Sequence, residues 1–232
     1  MTDPHLRSAA PPPRRLLAAL LALATAGLSA CSLIEPTHVG SGTVASELRS
    51  LPAFQRISVA GRAELFVRTG PEHRVQVSFD DNLLEFVETG VEHGQLAIEL
   101  AGPARYKTRE PLRVDVVLPR LEGLAAAGST RVEAEEIDAE RLEVSLAGSG
   151  RMRLAGRARD LSVSIAGSGD LDLRDLAASQ AEVSITGSGD VRLQASDRLE
   201  VSIAGSGRVA YLGAPEVSSS IAGSGEVVSL TP

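Results

Sequence analysis

The sequence predicts an all-β chain wound into a parallel β-helix, or solenoid, with coils of roughly 18–20 residues, preceded by a related but less regular β region. Three observations carry that reading. A seven-residue phrase recurs, as SIAGSGD at 164–170, SITGSGD at 184–190 and SIAGSGR at 202–208. Its first glycine falls at Gly128, Gly148, Gly167, Gly187, Gly205 and Gly223, in steps of 20, 19, 20, 18 and 18 residues. Apolar residues alternate on either side of it, as in Leu142, Val144 and Leu146 before and Met152 and Leu154 after, which is the period of a strand. Each unit therefore reads as strand, glycine corner, strand, second corner. Two such strands cannot bury their own inner face, so consecutive units must stack, with rungs about 4.8 Å apart. An antiparallel meander or sandwich with tight Gly-Ser-Gly hairpins is the alternative fold.

The first thirty residues stand apart from this pattern. Arg7, Arg14 and Arg15 make a basic start, and LLAALLALATAGL at 16–28 is an apolar run too short to span a bilayer comfortably. LSAC at 28–31 follows, with the chain's one cysteine. It resembles the lipobox of bacterial lipoproteins, where a peptidase cuts before the cysteine and the thiol takes a diacylglycerol. The expectation is a signal peptide over 1–30, lipidation of Cys31, and the membrane as a partner through acyl chains. Each buried methylene contributes about 0.8 kcal/mol, so two or three chains hold stably where one would not. Ser32 rather than an aspartate after the cysteine implies, by the same resemblance, the outer membrane over the inner one in a Gram-negative cell. Loss of three arginines and one aspartate with 1–30 takes the formal charge from −7 to −9. An acidic body is thus held by lipid, not by anionic head groups, and it lacks the basic footprint of nucleic-acid binding. With the lone cysteine so used, no disulfide remains.

The remaining elements follow in order. Residues 31–39 read as a Pro/Gly/Ser-containing tether. From 40 to 120 a β region holds strand-like runs, with apolar alternation at Ile57 and Val59, Val75 and Val77, and Val114 and Val116. DNLLEFVETG, 81–90, reads as a helical turn or a strand. From 121 to 232 the Gly-Ser-Gly units take over, with Thr130 replacing the second glycine of the first unit and so suiting a boundary between halves. Only 3% of residues are aromatic and none is Trp, which suits a narrow aliphatic interior. The outward row Glu133, Arg153, Asp172, Arg192 alternates in charge, as an in-register parallel stack prefers.

The segment GSGTVASELRSLPAFQRISVAGRAELFVRTG (40–70), then DDNLLEFVETGVEHGQLAIEL and the AGSG repeats, resembles the bacterial head GIN domain family, the auto-transporter adhesin class. The resemblance spans Gly40 to about Leu230. It implies a β-helical, exported envelope protein without established catalytic activity, and it supplies no catalytic motif to carry over.

The chemistry of the residues themselves points the same way. A phosphate-binding glycine loop needs a helix after it, whereas every Gly-Ser-Gly here leads into another strand. A calcium ladder needs acidic ligands in a row, but the residue after the motif is Arg151, Asp170, Asp190, Arg208 and Glu226. An isolated calcium site near Asp170 and Asp190 is the rival reading. His73 and His93, each after a glutamate, read as turn histidines, with a shared metal site as the alternative. Asp80, Asp81 and Asn82 form a cation site or a self-bonded turn. Serines recurring at every corner do not make a triad, so no catalytic residue, metal or cofactor is expected. Gly128, Gly148, Gly150, Gly167, Gly169, Gly187, Gly189, Gly205, Gly207, Gly223 and Gly225 are structural turns.

Ser145, Ser164, Ser184, Ser202 and Ser220 fall in one outward column, with Ala147, Ala166, Thr186, Ala204 and Ala222 beside it. Such a strip could pack a protein partner, a glycan or a second copy, or be simply tolerated surface; the ligand itself is unknown. The end near Val227 and Leu230 is an unpaired edge. The expected function is a lipid-anchored, non-enzymatic cell-envelope protein for binding, adhesion or structure. The alternative is an envelope signalling or stress-response lipoprotein acting through a protein partner.

Overall fold

The computed structural model of the protein describes residues 37–101 and 106–230, so the signal segment and Cys31 lie outside the described residues. The described residues form one compact unit. The described chain opens with β1 (His38–Val39), β2 (Val44–Arg49), β3 (Arg56–Gly61), β4 (Ala63–Thr69) and β5 (Arg74–Asp80). A 3-10 turn at Leu84–Phe86 leads into β6 (Val87–Glu92), so segment 81–90 is turn and strand in succession. β7 (Gln95–Leu100), β8 (Tyr106–Lys107), β9 (Leu112–Leu118) and β10 (Gly123–Gly128) complete this part. Four long strands follow, β11 (Arg131–Gly148), β12 (Arg151–Gly167), β13 (Asp170–Gly187) and β14 (Asp190–Gly205), then β15 (Arg208–Leu212), β16 (Glu216–Gly223) and β17 (Glu226–Ser229).

These strands stack in parallel, in register, as coils of a solenoid. On the side that ends at each first glycine, Leu96, Ile57, Leu124, Val144, Val163, Val183, Val201 and Ser219 lie directly over one another. On the side after the corner the column is Val114, Leu65, Val132, Met152, Leu171, Val191, Val209 and Val227. Both columns point inward. From Val144 to Val201 and from Val114 to Val209 their side chains are all but fully buried. A buried aliphatic side chain contributes roughly 1.5–3 kcal/mol, so stacking these columns is the main stabilising term.

The coil has three sides rather than the two that the spacing suggests. Inward residues run at every second position through Val132 and Ala134, then skip to Ile137 and Ala139, then skip again to Leu142, Val144 and Leu146. Each skip is a corner. The changes in repeat length fall on or beside the short third side, where the pairing shifts between Ala134 and Ile137, Arg153 and Ala155, and Leu173 and Ala177. The side leading to the glycine corner never shifts, so coils of 18, 19 and 20 residues keep one register there.

The stack crosses residue 121 without a break. β10 lies between β3 and β11, and Gly128 pairs with Gly61 on one side and Gly148 on the other. Stack order departs from chain order here. After β3 and β4 the chain moves outward to build the β7–β9 rung, then returns past its first rung to begin β10. Thr130 accordingly marks no break: it is buried, and its hydroxyl donates to the Ala127 carbonyl at 3.2 Å. Among the described residues antiparallel pairing appears only where this end is closed, with β6 on β7, β5 on β9 and β2 on β5.

At each glycine corner the ladder continues rather than lapsing. The N–H of Ser168 donates to the Gly148 carbonyl at 2.9 Å, that of Ser188 to Gly167 at 2.8 Å and that of Ser206 to Gly187 at 2.8 Å. Gly187 shows why the position must be glycine. Its φ is 123°, and a Cβ there would sit 2.3 Å from the Gly167 oxygen. The second glycine answers a different constraint: a Cβ on Gly169 would lie 2.2 Å from a Leu146 methyl. Gly187→Ala is expected to cost about 3 kcal/mol or more, whereas Gly61→Ala, at φ 101° with open space, costs about 1–2 kcal/mol. Chemical denaturation of the two variants checks this, and equal losses would remove the close approach of the corners.

Candidate functional site

The outward face of the glycine-ending side is flat because its residues are small. Ser58, Ala125, Ser145, Ser164, Ser184, Ser202 and Ser220 align across the rungs. Ala60, Ala127, Ala147, Ala166, Thr186, Ala204 and Ala222 form the neighbouring column. Ser164, Ser184, Ser202 and Ser220 are exposed, as the alternation requires. The result is an array of hydroxyls and methyls repeating at the rung spacing of about 4.8 Å.

Charge frames this strip along one edge. Arg56 reaches across Gly123 to Glu143 at 2.9 Å, and a Cβ on Gly123 would press on the Arg56 side chain at 3.1 Å. Further along, a shallow groove of about 450 Å³ runs beside the strip between Arg141, Asp160, Gln180, Glu182, Arg198 and Glu200. Arg198 pairs with Glu200 at 3.2 Å. The groove thus presents charges of both signs beside neutral hydroxyls.

The side after the corner carries the alternating row. Glu133, Arg153, Asp172 and Arg192 are in register as the spacing predicts. The ion pairs run diagonally, however: Arg153 to Asp175 at 2.8 Å and Arg192 to Asp170 at 2.9 Å. Asp172 is gripped by Arg174 of its own strand, at 2.8 Å from Nε and 2.6 Å from Nη2. That hydrogen bonding holds the Asp172 carboxyl below its ordinary 3.8, at about 2. Asp170 and Asp190 stand on adjacent rungs, but Arg192 occupies Asp170. Among the described residues no group of three or more His, Cys, Asp or Glu side chains is placed to hold a metal. The serine N–H at each corner is committed to the ladder, so those groups are not aimed at an anion.

At the closed end, Asp80, Asp81 and Asn82 bond another segment rather than only their own turn. Asn82 Nδ2 donates to the Val39 carbonyl and its Oδ1 accepts from Ser41 N–H, both at 2.9 Å. Ser41 Oγ donates to Asp81 at 2.5 Å, and Gly42 N–H to the buried Asp80 at 3.0 Å, which also accepts from Thr108 Oγ1. Together they clip residues 39–43 to the solenoid where the chain enters it. The sequence signal was an isolated Gly-Ser-Gly, at 40–42, set outside the repeat. His73 hydrogen-bonds the Phe54 backbone oxygen at 2.9 Å and stacks edge-on against that ring, while His93 occupies the β6–β7 turn at φ 50°. Every glycine singled out from 128 to 225 sits at a corner of the coil.

The Arg174–Asp172 pair generates a pH dependence. Because the folded carboxylate titrates below the unfolded one, its stabilisation is complete above pH 3.8 and is lost as pH falls through about 2. At this partly exposed site the effect is under about 1 kcal/mol. The thermal midpoint of Asp172→Asn should therefore lie slightly below that of the unaltered protein at pH 5 and converge with it near pH 2. A constant difference across that range would contradict the pairing.

Residues 53–215 match the family described as "Putative auto-transporter adhesin, head GIN domain". No curated protein matches the chain. Among solved structures, a "putative adhesin" from Bacteroides fragilis NCTC 9343 superposes with a TM-score of 0.69 at 18% identity, over 83% of this chain and 99% of that one. A "putative lipid binding protein" from Parabacteroides distasonis ATCC 8503 gives 0.54 at 24% identity, over 84% and 100%. A "putative adhesin" from Parabacteroides merdae ATCC 43184 gives 0.52 at 18% identity, over 84% and 100%. At these identities the structures speak for a shared fold. The family match over residues 53–215, most of the chain's length, places it in the head GIN domain family, whose stacked glycine corners the fold displays.

Proposed function

We propose that the protein is a non-enzymatic binding module displayed on the bacterial cell envelope, anchored by lipid on Cys31 and engaging a protein or glycan through its flat strip. The observation that carries the reading is the in-register array of Ser, Ala and Thr side chains along the glycine-ending side. A repeating surface of small hydroxyl groups suits an extended ligand, held by many weak contacts, better than a compact substrate enclosed in a cavity. The family's description as an adhesin supports a surface role. The LSAC motif supports the anchor, and Ser32 after it supports the outer membrane.

Two measurements test this together. Cys31→Ala should release the protein from the membrane fraction and abolish fatty-acid labelling; retention with label would refute the anchor. A photo-crosslinking residue at position 184 should capture a partner on intact cells, while the same residue at position 197, on the short side of the coil, captures none. Equal capture at both positions, or none at either, would refute the strip as the binding face.

A further inference from the structure

The two ends of the solenoid are finished differently. At the closed end the edge strands β2 and β6 carry Glu47, Arg49, Glu88 and Glu92. Charges on an edge strand discourage another strand from adding to it. At the other end, among the described residues, β16 pairs only with β14, and β17 only with β15. Between Val217 and Gly223, β16 carries no charge, proline or bulge to protect its open edge. The shaft is open there as well: Val217 is 38% and Ile221 41% exposed, although the residues directly beneath them, Leu199 and Ile203, are buried. Leu230 adds a further apolar side chain at 45% exposure.

We infer that this end is a homodimer interface, in which β16 of one copy pairs antiparallel with β16 of a second copy about a two-fold axis at Ser219. The register of the strand selects a second copy. Val217, Ser218, Ser219, Ser220 and Ile221 read the same in character from either direction about Ser219. Pairing there sets Val217 opposite the partner's Ile221, and Ser219 opposite the partner's Ser219. Residues opposite one another in an antiparallel pair share a face, so both inward rows stay inward and the two shafts join. Glu216 falls opposite the partner's Ala222, so no like charges meet across the axis. An isologous contact of this kind closes on itself and does not propagate. The clipped segment 39–43 lies at the far, closed end. Such a dimer therefore sets its two tethers at opposite ends of a doubled stack, the geometry that a bridge between two surfaces requires. The inference concerns the end of the stack and does not depend on the strip as a binding face.

The test uses the full chain in density-matched detergent, by sedimentation equilibrium at about 0.1 mM and above, where even a micromolar contact is saturated. The expected protein mass is twice that of the monomer. In a Cys31→Ser background, Ser219→Cys should form a disulfide-linked dimer, because directly opposed Cα atoms lie about 4.5–5.5 Å apart, within disulfide reach. Ser164→Cys, exposed in the middle of the strip, should not. Val217→Lys combined with Ile221→Lys should return the protein to monomer with its circular dichroism unchanged. A monomer at all concentrations, a dimer that survives the two lysines, or a ladder of larger species would each overturn the inference, the last by indicating head-to-tail stacking.

Discussion

The fold depends on one contact: the carbonyl oxygen of a corner glycine lies where the next rung's glycine would otherwise carry its Cβ. With that carbon absent, the oxygen instead accepts the N–H of the serine above, and the ladder of the flat side continues around the bend. A corner that makes ladder bonds locks the phase of each rung to the one beneath it. Register is then set at one point per coil, and errors cannot accumulate along the stack.

Much else in the molecule is downstream of that lock. Because the glycine-ending side is always in phase, its outward residues form straight columns, and small side chains in those columns make a flat surface. Variation in coil length has to be absorbed elsewhere, and it collects on and around the short side, where pairing shifts and surface charges cluster. Arg157 there makes a bidentate contact to Asp138 on the preceding rung, at 2.8 Å to each oxygen. Such exposed pairs add little stability, and the interior supplies most of it. That interior is aliphatic along the coils, and its largest fully buried side chains, Phe54 and Phe79, sit toward the closed end. A growing stack needs one end at which growth stops, and here antiparallel strand pairs provide it.

The regular coils were legible in the sequence because period-two alternation and a fixed glycine corner both survive without an alignment. The third side was not, since Ile137 and Ala139, or Ala195 alone, make runs too short to show a period. Its trace is a three-residue skip between apolar positions, as from Ala134 to Ile137. Gly61 was also missed as a corner. Its turn reads Gly-Arg-Ala rather than Gly-Ser-Gly, and the next corner in sequence comes only after the whole β5–β9 excursion. The clip at Asp80–Asn82 hid for a related reason: its partners are some forty residues away, and an Asp-Asp-Asn run is an ordinary turn when read locally.

A scaffold whose glycine corners are committed to backbone bonding leaves its chemistry to surfaces and ends. The central claim is that the corners are rungs of the ladder and not loops. Amide hydrogen exchange at Ser168, Ser188 and Ser206 tests it most directly. The structure predicts that these three N–H groups exchange as slowly as the core strands, at the limit of global unfolding. Exchange at the rate of the β6–β7 turn around Gly94 would show that the corners are free, and the stacked account would fail.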